Sequence, residues 1–239
     1  MQEVVIEVLR LDGGSLQIRH AAEMAQVFFR LDPSANGPNA FDDFVDQARQ
    51  DRIEESDIKA VNTTMAARTP KQLWEDLFSQ AHPAWLAALD PSWGLLELTD
   101  EAWVDLSVER RIADALAAMF GRGRRLSVVT KVLHMKRPDL VPVCDRFVLE
   151  KLGAPSGIDQ NPTRAADFIG HFRREGRRNL DGLRGIQEQL RADGFIRSQV
   201  RIFEALIWSS HEATRFPNVG PLIGRWLEGA DPLAQGAKQ

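Results

Sequence analysis

Three arginines, Arg122, Arg124 and Arg125, stand among two glycines, Gly121 and Gly123. Downstream, an apolar run between Pro138 and Pro142 leads to Asp145. Glycines one residue apart allow unusual backbone dihedrals, so the N–H groups of a tight turn can point outward together at the start of the next helix. Such a place suits a phosphate, and guanidinium groups beside it strengthen the anion reading. Lys131, Lys136, Arg137 and Arg146 supply further positive charge nearby. Asp145 admits two roles. Placed before a helix it is an N-cap, and facing the turn it is a carboxylate able to stabilise positive charge or position a water. The basic turn likewise reads alternatively as a solvated connection between helices.

The elements that must position these residues follow from apolar spacing and from glycine and proline stops. Ile112, Leu116, Met119 and Phe120 recur at helical spacing over 107–120, and Gly121 ends that helix. The next helix starts near Leu126, with Val128, Val129, Val132 and Leu133 on its buried side. Thr130, Lys131 and His134 fall at the boundary, and Lys136 and Arg137 close the helix where cations suit its dipole. Pro138 stops it, Leu140 to Val143 form a buried extended connection, and Asp145 caps a helix over 146–152 that Gly153 ends.

At these residues the sequence resembles the helix-hairpin-helix DNA glycosylase superfamily. Gly121-Arg122-Gly123 looks like its hairpin, and Pro142-Val143-Cys144-Asp145 looks like its aspartate element with one extra residue. The resemblance implies a helical bundle that binds DNA, with Asp145 as the carboxylate acting in base excision and Gly121 to Arg125, Lys131, Lys136, Arg137 and Arg146 on the nucleic-acid face. Arg125 or Ser127 stands where bifunctional members carry a nucleophilic lysine, and Lys131 lies further along the helix. An arginine cannot be deprotonated for Schiff-base chemistry, so only a monofunctional or a non-catalytic form fits. No cysteine cluster follows for an iron-sulfur site. The residues Lys131, Leu133, His134, Lys136, Arg137, Pro138, Leu140, Pro142 and Asp145 also match the signature of an uncharacterised bacterial family. That similarity is expected over 41–208 and brings no activity with it.

The rest of the chain bounds this reading. At 239 residues and 44% hydrophobic content it can bury a substantial core without staples. Its single cysteine, Cys144, forms no intramolecular disulfide and sits among apolar neighbours that argue for an inert thiol. With no apolar N-terminal segment, the expectation is a cytoplasmic protein without a membrane partner. The five histidines are scattered, and no P-loop or dinucleotide fingerprint appears, so neither a metal nor a nucleotide cofactor is expected. Net charge is −4, yet residues 1–109 carry 8 basic and 20 acidic side chains while residues 110–178 carry 15 and 7. A polyanion footprint would therefore be local to the middle. The contrast also fits a basic middle that docks an acidic partner or its own N-terminal half.

Elsewhere a hairpin is expected over 4–18 around Asp12-Gly13-Gly14, followed by helices over 20–31, 41 onward and 56 onward, the third capped by Ser56. Thr69-Pro70 and Asn161-Pro162 read as helix starts, and Arg173, Arg174, Arg177 and Arg178 form a second basic cluster. Trp85, Trp93 and Trp103 read as core or lobe-interface residues, with stacking on an extruded base as the sharper role. The fold class is all-α with a short N-terminal β-hairpin, in one compact domain that divides into lobes of about 1–105 and 106–230, a short helix around Trp226, and a flexible tail over 232–239. The function read from this is DNA binding, with base excision by a monofunctional glycosylase as its enzymatic form. A non-catalytic DNA-binding protein and a helical interaction module are the rivals.

Overall fold

A computed structural model describes residues 8–11, 16–19, 21–30, 38–65 and 67–215. The expected helix around Trp226 and the tail lie outside the described residues. Strands β1 (Val8–Leu11) and β2 (Leu16–Arg19) pair antiparallel with Val8 opposite Arg19 and Leu11 opposite Leu16, the hairpin expected around Asp12-Gly13-Gly14. Everything else regular among the described residues is helical.

Helices α1 (Ala21–Arg30), α2 (Pro38–Gln47) and α3 (Glu55–Thr64) come first. Glu54, not Ser56, stands at the N-cap of α3, and the Asp57 carboxylate accepts from the Glu54 backbone N–H at 2.6 Å. An acidic residue at the third helical position reaches back to the cap as well as a serine at the cap would reach forward. A 3₁₀ turn over Lys71–Trp74 runs into α4 (Glu75–Phe78), and two short helices follow, α5 (Ala84–Ala87) and α6 (Asp100–Asp105).

The central part is α7 (Val108–Met119), the turn Gly121–Gly123, α8 (Leu126–Lys136) and α9 (Arg146–Lys151). Three long helices complete the described chain: α10 (Pro162–Arg178), α11 (Leu180–Ala192) and α12 (Gln199–Arg215). Asn161 accepts from the Arg164 N–H with Pro162 in the first turn, the start that Asn-Pro-Thr announces. Helix α10 packs on α7, while α12 packs on α1, α9 and α11. Gly176 lets α10 close on the 94–98 loop, because a Cβ there would meet Leu96 Cδ2 at 2.5 Å. Trp103 is buried under Arg173, whose guanidinium carbon sits 5.0 Å from the ring centroid, and Trp85 and Trp93 pack against the core.

Helix α8 is the centre of the fold. Every residue from Val129 to Lys136 is buried, polar ones included, so the boundary expected at Thr130, Lys131 and His134 does not exist. A helix buried all round must find a partner for each polar side chain, since an unpaired one costs about 1–3 kcal/mol.

Candidate functional site

The turn between α7 and α8 is left-handed at two successive residues, Arg122 (φ 59°) and Gly123 (φ 79°). At Gly123 no heavy atom stands within 4 Å of where a Cβ would sit, and Arg122 and Arg125 are exposed beside it. Arg125 occupies the N-cap of α8 and offers no side-chain cap, which leaves the first N–H groups of that helix to other acceptors. Arg122 faces Asp76 at 3.8 Å and donates to the Gln72 carbonyl.

Arg124 does something else. Its side chain is wholly buried, ion-paired to Asp76 at 2.7 Å, bonded to the Leu73 and Met119 carbonyls and laid over the Trp74 ring. Hydrogen bonding from Arg124 holds the Asp76 carboxyl below its usual range. Arg124 therefore fixes the turn onto α4 and is removed from any phosphate-facing surface.

The cations along α8 share that fate, which corrects the expected nucleic-acid face. Lys131 donates to the Met65 carbonyl at 3.0 Å, and burial lowers its pKa against the pull of Asp145 and Glu204. Lys136 pairs with Asp57 at 2.7 Å and donates to the Arg49 carbonyl at 2.8 Å, both side chains sealed from solvent. Arg137 is spent on the carbonyls of Leu86, Leu89, Gln50 and Lys136. Arg146, at the start of α9, stays exposed, over the Phe147 ring and 3.8 Å from Glu150. In the second basic cluster Arg173 pairs with Asp100 at 2.7 Å, Arg177 donates to the Leu98 carbonyl, and Arg178 pairs with Glu175. Acidic side chains of the N-terminal half thus pair with cations of the basic middle, sealed from solvent at Lys136–Asp57 and at the surface at Arg173–Asp100.

Asp145 is the N-cap of α9. Its Oδ1 accepts from the Phe147 and Val148 N–H groups at 3.0 Å each, and among the described residues no donor reaches Oδ2. The preceding chain is tied to α8 by Thr130, whose hydroxyl accepts from the Cys144 N–H at 3.0 Å. Burial raises the Asp145 carboxyl above its usual value, while the capping N–H groups and Lys131 oppose that rise. Cys144 is fully buried and its thiol is pushed up by burial, so it is the inert thiol the sequence predicts.

Against this face lies a cluster the sequence reading missed. Arg201 of α12 donates from Nε to Asp42 of α2 at 2.9 Å and from Nη1 to Glu204 at 2.7 Å, and Arg197 meets the other Asp42 oxygen at 2.9 Å. The signal was available: Ile202, Phe203, Ala205, Leu206 and Ile207 surround Arg201 and Glu204, and a helix apolar all round is a buried one. His134 lies beside the cluster, neutral, with Nδ1–H donating to the Val141 carbonyl at 2.7 Å and its pKa lowered to about 3 by burial. No group of three or more His, Cys, Asp or Glu able to hold a metal ion exists among the described residues.

Burial raises Glu204 from 4.5 to about 7, with Arg201 opposing. A carboxyl whose folded-state value lies above its unfolded one adds stability that is fully present below about pH 4.5 and lost as pH rises through about 7. Glu204→Gln lacks this titration. Thermal melts across pH 4.5 to 7.5 are expected to show the parent losing ground to the variant, by on the order of 3 kcal/mol. A difference that stays constant across that range would contradict the assignment.

A family model described as a family of unknown function, DUF6308, matches residues 21–211. No curated protein and no solved structure matches the chain. No helix among the described residues is long and apolar enough to cross a membrane.

Proposed function

The chain belongs to the DUF6308 family of unknown function, and for it we propose DNA binding in the manner of helix-hairpin-helix proteins, with the Gly121–Arg125 turn on the phosphate backbone. The observation that carries the reading is the turn itself. Gly123 is left-handed and open, Arg122 and Arg125 are exposed, and α8 begins without a side-chain cap. Phosphate oxygens fit where free N–H groups and guanidinium groups converge on a helix N-terminus. Arg124 contributes from beneath by anchoring the turn to Asp76. Phosphate contacts of this kind fix position and carry little sequence information.

In the enzymatic form of the proposal Asp145 acts in base excision. The Asp145 carboxylate feels the charge of Lys131 on α8, the helix that the turn opens. With Lys131 bound to the Met65 carbonyl and arginines at the turn, the chemistry would be monofunctional hydrolysis. The two capping hydrogen bonds of Oδ1 favour the non-catalytic form, in which the carboxylate only starts α9.

Replacing both Arg122 and Arg125 with alanine is expected to weaken binding to unrelated duplexes alike, by tenfold or more, on the basis of about 1.5 to 3 kcal/mol for a hydrogen bond to a charged group. Arg184→Ala, which removes an exposed charge from α11, is the control and should bind as the parent does. Equal affinity of the double variant and the parent in fluorescence anisotropy would remove the turn from the interface.

A further inference from the structure

At the N-terminal end of α12 a cavity of about 240 Å³ opens to the surface, bounded by Asp42, His134, Arg191, Arg197, Ser198 and Arg201. It holds roughly eight waters at about 30 Å³ each, too small for a polynucleotide and ample for a small metabolite. It is a place distinct from the Gly121–Arg125 turn, and nothing in the proposed DNA contact uses it.

The wall of this cavity is built of charge. Asp42 is shared between Arg197 and Arg201, each 2.9 Å away, and the Arg201 guanidinium is held between the rings of Phe28 and Phe41 at 5.5 and 5.7 Å. Arg201 is 2% exposed, and its Nη2 has no acceptor among the described residues. That nitrogen lies on the same edge of the guanidinium as Nε, which donates to Asp42, and it is closed off from solvent behind the cavity wall. An orphaned donor on a buried cation is costly and calls for an acceptor. Arg191 adds a third guanidinium from the exposed rim, with no acceptor among the described residues. Facing these three arginines are two carboxylates, Asp42 and Asp139. His134 contributes no charge, because burial keeps its ring neutral. Ser198 caps α12 by accepting from the Arg201 N–H at 3.1 Å, so the positive end of a 17-residue helix also points here.

We propose that this cavity binds a small oxyanion-bearing metabolite, a phosphate ester or a carboxylate, between Arg191 and the Arg197–Arg201 wall. The anion would accept from Arg191 at the rim, where a bidentate guanidinium contact is available, and would be held by the charge of Arg197 and Arg201 behind the wall. Binding would join α2, α11 and the start of α12 around one ligand.

Calorimetric titration of the full chain with inorganic phosphate and, separately, succinate tests this, with sodium chloride at matched ionic strength as the blank. Saturable binding of at least one probe is expected, and the tighter of the two identifies the class. Arg191→Ala should weaken that binding by roughly tenfold or more, since a hydrogen bond to a charged group is lost. Arg184→Ala, on the same helix outside the cavity, should leave it unchanged. Arg191→Gln serves equally if the alanine form is poorly folded by circular dichroism. Absence of saturable binding by either probe overturns the proposal, and so does an Arg191 variant that binds as tightly as the parent. Loss of DNA binding at the turn would leave these outcomes untouched.

Discussion

Lys136→Met is expected to cost about 3 to 5 kcal/mol of stability in urea titrations, the usual cost of removing one partner of a buried ion pair. Lys136 is wholly buried and Asp57 nearly so, and they meet at 2.7 Å with the Arg49 carbonyl as a second acceptor. Burial lowers the pKa of Lys136 and raises that of Asp57, each held against that pressure by the other's charge. Methionine fills the stem but leaves the Asp57 carboxylate uncompensated. Adding Asp57→Asn removes that charge while keeping an oxygen for the Glu54 N–H, so the double variant should regain much of the loss. A phosphate-contacting Lys136 predicts the opposite pattern, unchanged stability with weaker DNA binding. A single-variant cost below about 1 kcal/mol would contradict the buried pair.

Asp145→Asn separates the two roles of the carboxylate. Asparagine ranks with aspartate as an N-cap and keeps an oxygen for the Phe147 and Val148 N–H groups, so stability should change by less than about 1 kcal/mol. Asp145→Ala should cost about 0.5 to 2 kcal/mol, the range for a lost cap. If the carboxylate acts in base excision, Asp145→Asn should slow base release by about 10² to 10⁴-fold, the contribution of a positioned acid or base, while DNA binding persists. A parent that binds a panel of damaged-base duplexes and releases nothing ends the enzymatic form, and the cap remains. A variant that releases the base as fast as the parent removes Asp145 from catalysis.

The helices around the site were legible because their ends carry local chemistry. Gly121 after Phe120, Pro138 after Arg137, Asp145 before Arg146 and Asn161 before Pro162 each mark a boundary the structure keeps. The burial of Cys144 was legible from its apolar neighbours. The exposure of α8 was not. Thr130, Lys131 and His134 read as a solvent boundary by helical spacing and Lys136 as a cation at the helix end, yet the partners of the two lysines are the Met65 and Arg49 carbonyls and the Asp57 carboxylate, which come from far earlier in the chain. Spacing along one helix carries no information about acceptors another helix will present.

The charge contrast misled in the same way. An acidic N-terminal half and a basic middle looked like a local footprint for a polyanion, but Arg124 with Asp76, Lys136 with Asp57 and Arg173 with Asp100 pair part of that contrast within the chain itself. What remains at the turn is Arg122 and Arg125. Arg201 and Glu204 carry no motif of their own, and only the apolar residues all round them signal that the pair is buried.

The central claim is that these two exposed arginines meet DNA phosphates, and its most direct test is the salt dependence of duplex binding. Each phosphate contact contributes a slope of about −0.9 to a plot of log affinity against log salt. The parent should show a steep negative slope, and Arg122→Ala/Arg125→Ala should flatten it by about two contacts' worth. Binding that is absent at low salt, insensitive to salt, or equally steep in the double variant would contradict the claim.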